Sequence, residues 1–146
     1  MKILKYIWQL PQHIVALILI LYYRYKKYGC MKSPYQITLG KVTKINIYKA
    51  YMRGPAISLG NYIITNPYDY QITDMLIRHE YGHQRQSLYL GPLYLLVIGI
   101  PSLVGNIWDA NFHKNWPPLK SYKWYYNQPW EKWADKLGGV NRCVNI

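Results

Sequence analysis

The two glutamates of this chain, Glu80 and Glu131, both lie where a metal centre would use them. Glu80 belongs to a His-Glu-Tyr-Gly-His string at residues 79–83. Residues four apart share one face of a helix, so His79 and His83 can bind one metal ion while Glu80 holds a water molecule beside it. This pattern predicts a zinc site with the chemistry of hydrolysis.

Two histidines do not complete such a site, because a catalytic zinc usually takes three protein ligands and leaves a fourth position open. Glu131, in the Trp-Glu-Lys-Trp-Ala-Asp string of residues 130–135, is the natural third ligand. The alternative for Glu131 is a carboxylate at a helix start, favoured there by the helix dipole. Gly82 costs about 1 kcal/mol relative to alanine inside a helix, so it predicts close packing under the metal.

The two motifs together resemble those of thermolysin-like gluzincins. That family takes its third zinc ligand from a later helix carrying Glu-x-x-x-Asp, which Glu131 and Asp135 match here. The resemblance implies that Glu131 binds zinc and that Asp135 accepts the free ring N–H of His79. It covers only these two helices, and residues 127–130 before the glutamate have no assigned counterpart.

Another zincin class, the metzincins, is excluded, because Gln86 and Tyr89 stand where that class has glycine and histidine. Residues 79–102 are also similar to small membrane-associated bacterial zincins. That similarity implies membrane association without indicating a substrate.

The predicted reaction is hydrolysis of a peptide bond. Zinc lowers the pKa of a water that it binds toward about 7, and Glu80 would take the proton and pass it to the leaving amine. An oxyanion stabiliser is also required. Four side chains near the glutamate helix are candidates, each with packing or surface exposure as the alternative: His113, Tyr122, Tyr125 and Tyr126. In zincins an edge strand before the active helix holds the substrate, and Leu59–Thr65 occupies the corresponding place.

The composition points to a membrane rather than to nucleic acid. The chain has a net charge of +12 from 18 Lys/Arg and 6 acids, and charge alone would suit either partner. Seventeen Tyr and six Trp against one Phe favour a water–lipid boundary, where rings with a polar end are enriched. The sequence has no RNA-recognition, helix-turn-helix or zinc-finger pattern, so nucleic acid is not the predicted partner.

Two uncharged stretches are candidate membrane segments. Residues 7–23 predict an uncleaved N-terminal anchor helix about 26 Å long, with interfacial placement as the alternative and His13 as a solvated or interfacial histidine. Residues 88–108 are long enough to cross, but one crossing would separate the histidines from Glu131. We therefore expect Gly99-Ile100-Pro101 to turn the chain into a re-entrant hairpin. The alternatives are an intramembrane site and a soluble core helix broken at Pro101.

The remaining elements follow from periodicity and turn residues. Residues 35–65 alternate polar and apolar types and predict a short antiparallel sheet, with Gly60-Asn61 as a turn or bulge. Residues 68–90 and 129–138 predict the active-site helix and the glutamate helix. Ten Lys/Arg lie between the two apolar stretches, so the catalytic body is predicted to face the cytoplasm.

These patterns predict one α+β domain over residues 1–146, with a zincin-like arrangement of sheet, active-site helix and glutamate helix. The predicted function is zinc-dependent peptide hydrolysis at or in the membrane, with peptide or protein substrates and lipid as partners. The alternative is a catalytically inactive, zinc-bound membrane scaffold or binding protein.

Overall fold

The α+β class is confirmed by the arrangement of helices and strands. A computed structural model describes residues 2–25, 30–39, 41–50, 55–66 and 74–142. The helices are α1 Lys2–Trp8, α2 Leu10–Tyr25, α3 Asp74–Leu90, α4 Ile100–Phe112, α5 Pro118–Tyr126 and α6 Pro129–Gly138. The strands are β1 Cys30–Leu39, β2 Lys41–Ala50, β3 Ile57–Leu59 and β4 Tyr62–Thr65. The predicted start of the active-site helix, residues 68–73, lies outside the described residues.

The sheet is mixed rather than antiparallel throughout. Its strand order is β1-β2-β4-β3, and β4 runs parallel to β2 while the other two pairs are antiparallel. The β3–β4 hairpin turns at Gly60, whose φ of 60° suits glycine. One strand of that hairpin must run parallel to β2, and β4 is that strand. The prediction that Leu59–Thr65 forms an edge strand is therefore wrong. Most of this segment is β4, which is paired on both sides, and β3 forms the edge.

Helix α3 packs on the sheet through an apolar cluster. Ile45, Ile47 and Ile63 from the sheet bury their side chains against Ile77 of α3, with Tyr81 packed at the margin. Because Ile77 faces the sheet, the next turns of α3 are fixed relative to it. The sheet thus holds the helix that carries both histidines.

The glutamate helix crosses α3 at very short range. A Cβ atom on Gly82 would clash with the carbonyl oxygen of Ala134, and one on Gly138 would clash with that of Arg78. The close packing predicted from Gly82 is therefore present, and α6 is the element that it admits. Two glycines, one on each helix, let the backbones approach until side chains on both can share one site.

The N-terminal helices pack against the rest of the fold. The indole Nε1 of Trp8 donates to the carbonyl of Leu88 at 2.9 Å, and Gln9 Nε2 donates to Ser87 Oγ at 2.8 Å. His13 is buried against Gly60 rather than solvated. The predicted helix of residues 7–23 is divided between α1 and α2 at Gln9; its glutamines, its histidine and Ala16 are buried, while most of its large apolar side chains are exposed.

The predicted re-entrant hairpin over residues 88–108 is also wrong. After a 3-10 turn at Gly91–Leu93, the chain is helical through a π-helical segment, Leu95–Gly99, and into α4. Pro101 lies in the first turn of α4, where its missing N–H is tolerated, and the Ile100 N–H bonds the Leu95 carbonyl. Among the described residues one helix, Leu95–Phe112, is long and apolar enough to cross a membrane.

Candidate metal centre

Three ligand atoms from α3 and α6 converge in the interior. Nε2 of His79 lies 3.0 Å from Oε2 of Glu131, and Nε2 of His83 lies 3.2 Å from the same oxygen. The two Nε2 atoms are 3.2 Å apart. All three residues are buried, and they form a group able to hold a metal ion.

The donor set fits zinc in both chemistry and spacing. Two imidazoles and one carboxylate are the ligands of many catalytic zinc sites. Tetrahedral zinc, bound at about 2.0–2.1 Å, holds neighbouring ligand atoms about 3.3–3.4 Å apart. The observed separations require a widening of only a few tenths of an ångström, so a metal ion can enter without moving either helix.

Both histidines have their other ring nitrogen fixed by an oxygen acceptor. Nδ1 of His79 lies 2.7 Å from Oδ1 of Asp135, and Nδ1 of His83 lies 2.7 Å from Oε1 of Gln86. An oxygen partner places the proton on Nδ1 and leaves the Nε2 lone pair for a metal. The contact between His79 and Asp135 is the one that the gluzincin resemblance implies.

Asp135 is itself held by an arginine. Arg142 donates to the two carboxylate oxygens of Asp135, at 2.6 and 3.0 Å. Its guanidinium also lies 3.5 Å from the ring centroid of Tyr126 and donates to the hydroxyl of Tyr122. Sequence reasoning missed Arg142, which follows the helix in a segment without a motif.

Gln86 is a second residue whose role was missed. Its Oε1 accepts from His83, while its Nε2 donates to the carbonyl of Trp130 at 2.7 Å. Gln86 therefore connects a histidine of α3 to the residue just before Glu131. Its position three residues after His83, on the same helix face, was the available signal.

Glu131 is held from the side opposite the histidines. Ser102 donates to its Oε1 at 2.7 Å, and the Tyr125 hydroxyl lies 3.0 Å from the Ser102 hydroxyl. Asn106 donates to the same tyrosine oxygen at 3.2 Å. Tyr125 was predicted as an oxyanion donor, but its hydroxyl is engaged behind the glutamate, and burial raises its pKa.

The other three candidates for the oxyanion stabiliser lie in different surroundings. Tyr126 packs edge-on against the His79 ring, with centroids 5.2 Å apart, and it remains the candidate near the cluster. The Tyr122 hydroxyl is bonded by Arg142. His113 contacts Asp109 at 2.8 Å and stacks on Trp116, away from the cluster residues in the described part of the chain.

Glu80 differs from the other carboxylates in the described part of the chain. Its side chain is buried, and its Oε2 has no hydrogen-bond partner. Burial raises the pKa of Glu80, although His83 and His79 oppose this. A buried, unpaired carboxylate oxygen is costly, so this atom is expected to have a partner that is absent from the folded chain alone.

The charges of the cluster are strongly coupled. Burial alone would lower the pKa of His79, but hydrogen bonds to Asp135 and Glu131 outweigh it and raise the pKa to about 9. Burial alone would raise the pKa of Glu131, but its bonds to His79 and His83 hold the pKa below its usual range. In the metal-free protein, the proton on His79 therefore supplies part of the positive charge that a metal ion would bring.

Comparison with protein families, curated proteins and solved structures finds no match to this chain.

Proposed function

We propose that the protein is a zinc-dependent peptidase acting at a membrane. The observation that carries the proposal is the unpaired Oε2 of buried Glu80, one residue after a ligand of the His79–His83–Glu131 cluster. A helix that only needed packing would have no reason to bury this carboxylate.

Zinc, when bound, would supply a water of lowered pKa and would polarise the carbonyl of the substrate. Glu80 would accept the proton of that water and later give it to the leaving amine. His79, His83 and Glu131 would hold the ion, with Asp135 and Gln86 fixing the two rings. Tyr126 is the proposed donor to the developing oxyanion, because it packs against His79.

An extended peptide is the substrate class favoured by the sheet. β3 is hydrogen-bonded to β4 on one side within the described sheet, and it packs against α3. The Ser58 carbonyl of this strand already accepts from the buried Tyr94 hydroxyl at 3.0 Å, so a substrate main chain would pair only with the other main-chain groups of β3, a mode that gives little selectivity for side chains. The proposed activity is therefore cleavage with broad sequence tolerance.

The test uses purified protein in detergent, with zinc measured by elemental analysis and hydrolysis by a fluorogenic peptide library. We expect one zinc per chain in the wild type and in Glu80→Gln, with hydrolysis in the wild type and none in Glu80→Gln. His113→Ala is the matched control, because it removes a histidine outside the cluster and should change neither quantity.

Two results would overturn the proposal. Hydrolysis that persists in Glu80→Gln would remove Glu80 as the base. Full zinc without any peptide cleavage in the wild type would favour the zinc-bound scaffold.

A further inference from the structure

Two helical segments present apolar side chains to the outside, and together they are called the apolar face. The segments are α1–α2 and the helix Leu95–Phe112. Six of these side chains are between 47% and 63% exposed: Ile7, Leu17, Leu21, Ile100, Leu103 and Ile107. Exposed apolar surface on two helices exceeds what an isolated soluble chain normally shows, and it marks an interaction surface.

The two segments are neighbours in the fold. Ala16 of α2 packs with Ile98 and Tyr94, and Leu19 and Leu95 pack at the margin of the same cluster. The inward sides of both helices are therefore joined, which leaves their outward sides next to each other. The two parts of the apolar face therefore meet at the start of the Leu95–Phe112 helix.

The charge distribution favours an anionic partner. Residues 1–68 contain ten Lys/Arg and no acid. The acids with a described side chain are engaged within the protein: Asp74 with Arg78, Asp109 with His113, Asp135 with Arg142, and Glu80 and Glu131 in or beside the cluster. Of the cations in residues 1–68, Lys5 and Arg24 lie exposed on the α1–α2 segment itself, as at a surface that binds anionic lipid.

The helix Leu95–Phe112 is accompanied along its length by charged helices. Tyr125 of α5 contacts Ser102 and Asn106, and Ser121 donates to Asp109. Lys120 on α5 and Lys132 on α6 are exposed on these accompanying helices. If the helix crossed the bilayer, α5 and its charged side chains would be drawn toward the hydrocarbon, because Ser121 and Tyr125 hold α5 against the helix between Ser102 and Asp109, and this is unfavourable. A helix lying in the plane of the membrane keeps them in water.

We propose that the apolar face docks flat on an anionic lipid leaflet, with α1–α2 and α4 lying in the interface and neither crossing it. Ser102, on the inner side of the lipid-facing helix, bonds Glu131 directly. The metal cluster therefore lies about one helix diameter, roughly 10 Å, above the lipid. Its substrates are then peptide segments next to the membrane, and this last step rests on the proposed function.

Depth measurement tests the docking without any catalytic readout. Single cysteines at Leu96, Ile100, Leu103 and Ile107, in a Cys30→Ser/Cys143→Ser background, carry nitroxide labels. Their collision with oxygen and with a water-soluble nickel complex is measured on phosphatidylcholine–phosphatidylglycerol vesicles. We expect equal depth at all four positions. A crossing helix would instead make Leu103 deeper than Leu96 by about 11 Å, and that gradient would overturn the proposal.

Vesicle binding tests the partner. Leu103→Glu should lower partition onto these vesicles at least about tenfold, while the matched change Leu119→Glu on α5 should leave it within about twofold. Wild type should bind phosphatidylcholine alone much more weakly. Equal loss in both variants, or dimers in solution with no vesicle binding, would overturn the proposal. Zinc content in detergent, expected to be unchanged in Leu103→Glu, separates this failure from failure of the proposed function.

Discussion

Two histidine–aspartate pairs of nearly equal length occupy different surroundings in this protein. His79 Nδ1 lies 2.7 Å from Asp135, and His113 Nδ1 lies 2.8 Å from Asp109. Both pairs are largely buried, and each fixes the tautomer of its ring. By the length of this contact alone, the two histidine–aspartate pairs are equivalent.

Their opposite nitrogens distinguish them. Nε2 of His79 points at a glutamate and a second histidine, whereas the ring of His113 stacks on Trp116 at 3.7 Å and meets Trp124 edge-on. The His113 pair is also local, at i and i+4 across the C-terminal end of α4, while the His79 pair joins α3 to α6. A histidine held by a carboxylate is therefore a metal site only where other ligands converge on its free nitrogen.

Removing the third ligand should have the largest effect. Glu131→Ala is expected to lower zinc affinity by more than the roughly 100-fold that outer partners account for, because it removes a charged ligand itself. Asp109→Ala removes the carboxylate of the other pair and should leave zinc affinity unchanged. Competition with a chromophoric chelator measures both. Equal zinc binding in Glu131→Ala and wild type would place the third ligand elsewhere.

Disrupting the close packing of α3 against α6 should have the next largest effect. Gly82→Ala would force a methyl group onto the Ala134 carbonyl, and we expect a loss of about 3 kcal/mol of stability together with weaker zinc binding. The His113 pair should persist, since it needs only its own helix. Urea unfolding and zinc titration test this.

Gly99→Ala is the control for that substitution. The nearest atom to its added methyl would be Leu95 Cδ2 at 3.5 Å, an ordinary contact. The change should be neutral or stabilising by up to about 1 kcal/mol through helix propensity. If both glycine substitutions destabilise the protein equally, the loss in Gly82→Ala does not come from the close contact between α3 and α6.

The contrast between contacts within one helix and contacts between helices also explains which parts of the site could be predicted from the sequence. His79, Glu80 and His83 on α3, and Glu131 and Asp135 on α6, are local patterns, and the structure brings the ligand atoms of His79, His83 and Glu131 together. Arg142, Gln86 and Ser102 were missed because their partners are defined only by the packing of α3, α4 and α6. The hairpin prediction failed because Pro101 fits the first turn of a helix as well as it fits a turn.

The partner of the His79 ring should matter less than a ligand. Asp135→Asn weakens the acceptor for Nδ1–H and leaves Arg142 facing a neutral group, so zinc affinity should fall by about 30-fold, within the range for outer partners. Asp109→Asn, the same change in the other pair, should have no effect on zinc. Isothermal titration of both variants measures the difference. An equal response would mean that neither aspartate serves the metal.

Proton release should make zinc affinity depend on pH. The pKa of His79 is raised to about 9 in the metal-free cluster, so near pH 7 zinc must displace a proton from Nε2. Zinc affinity should therefore increase about tenfold per pH unit from about pH 7 to about pH 9 and then level off. The raised pKa also stabilises the metal-free fold below about pH 6.5, and this contribution declines as the pH rises through about 9.

Asp135→Asn tests the origin of that shift. It removes one of the hydrogen bonds that raise the pKa of His79, so zinc affinity should level off at a lower pH than in the wild type. His113→Ala should leave the profile unchanged, because His113 has no part in the cluster. Chelator competition across this pH range measures all three proteins. A flat wild-type profile would show that His79 is already unprotonated, and that the metal-free cluster is held together by something other than the shared proton.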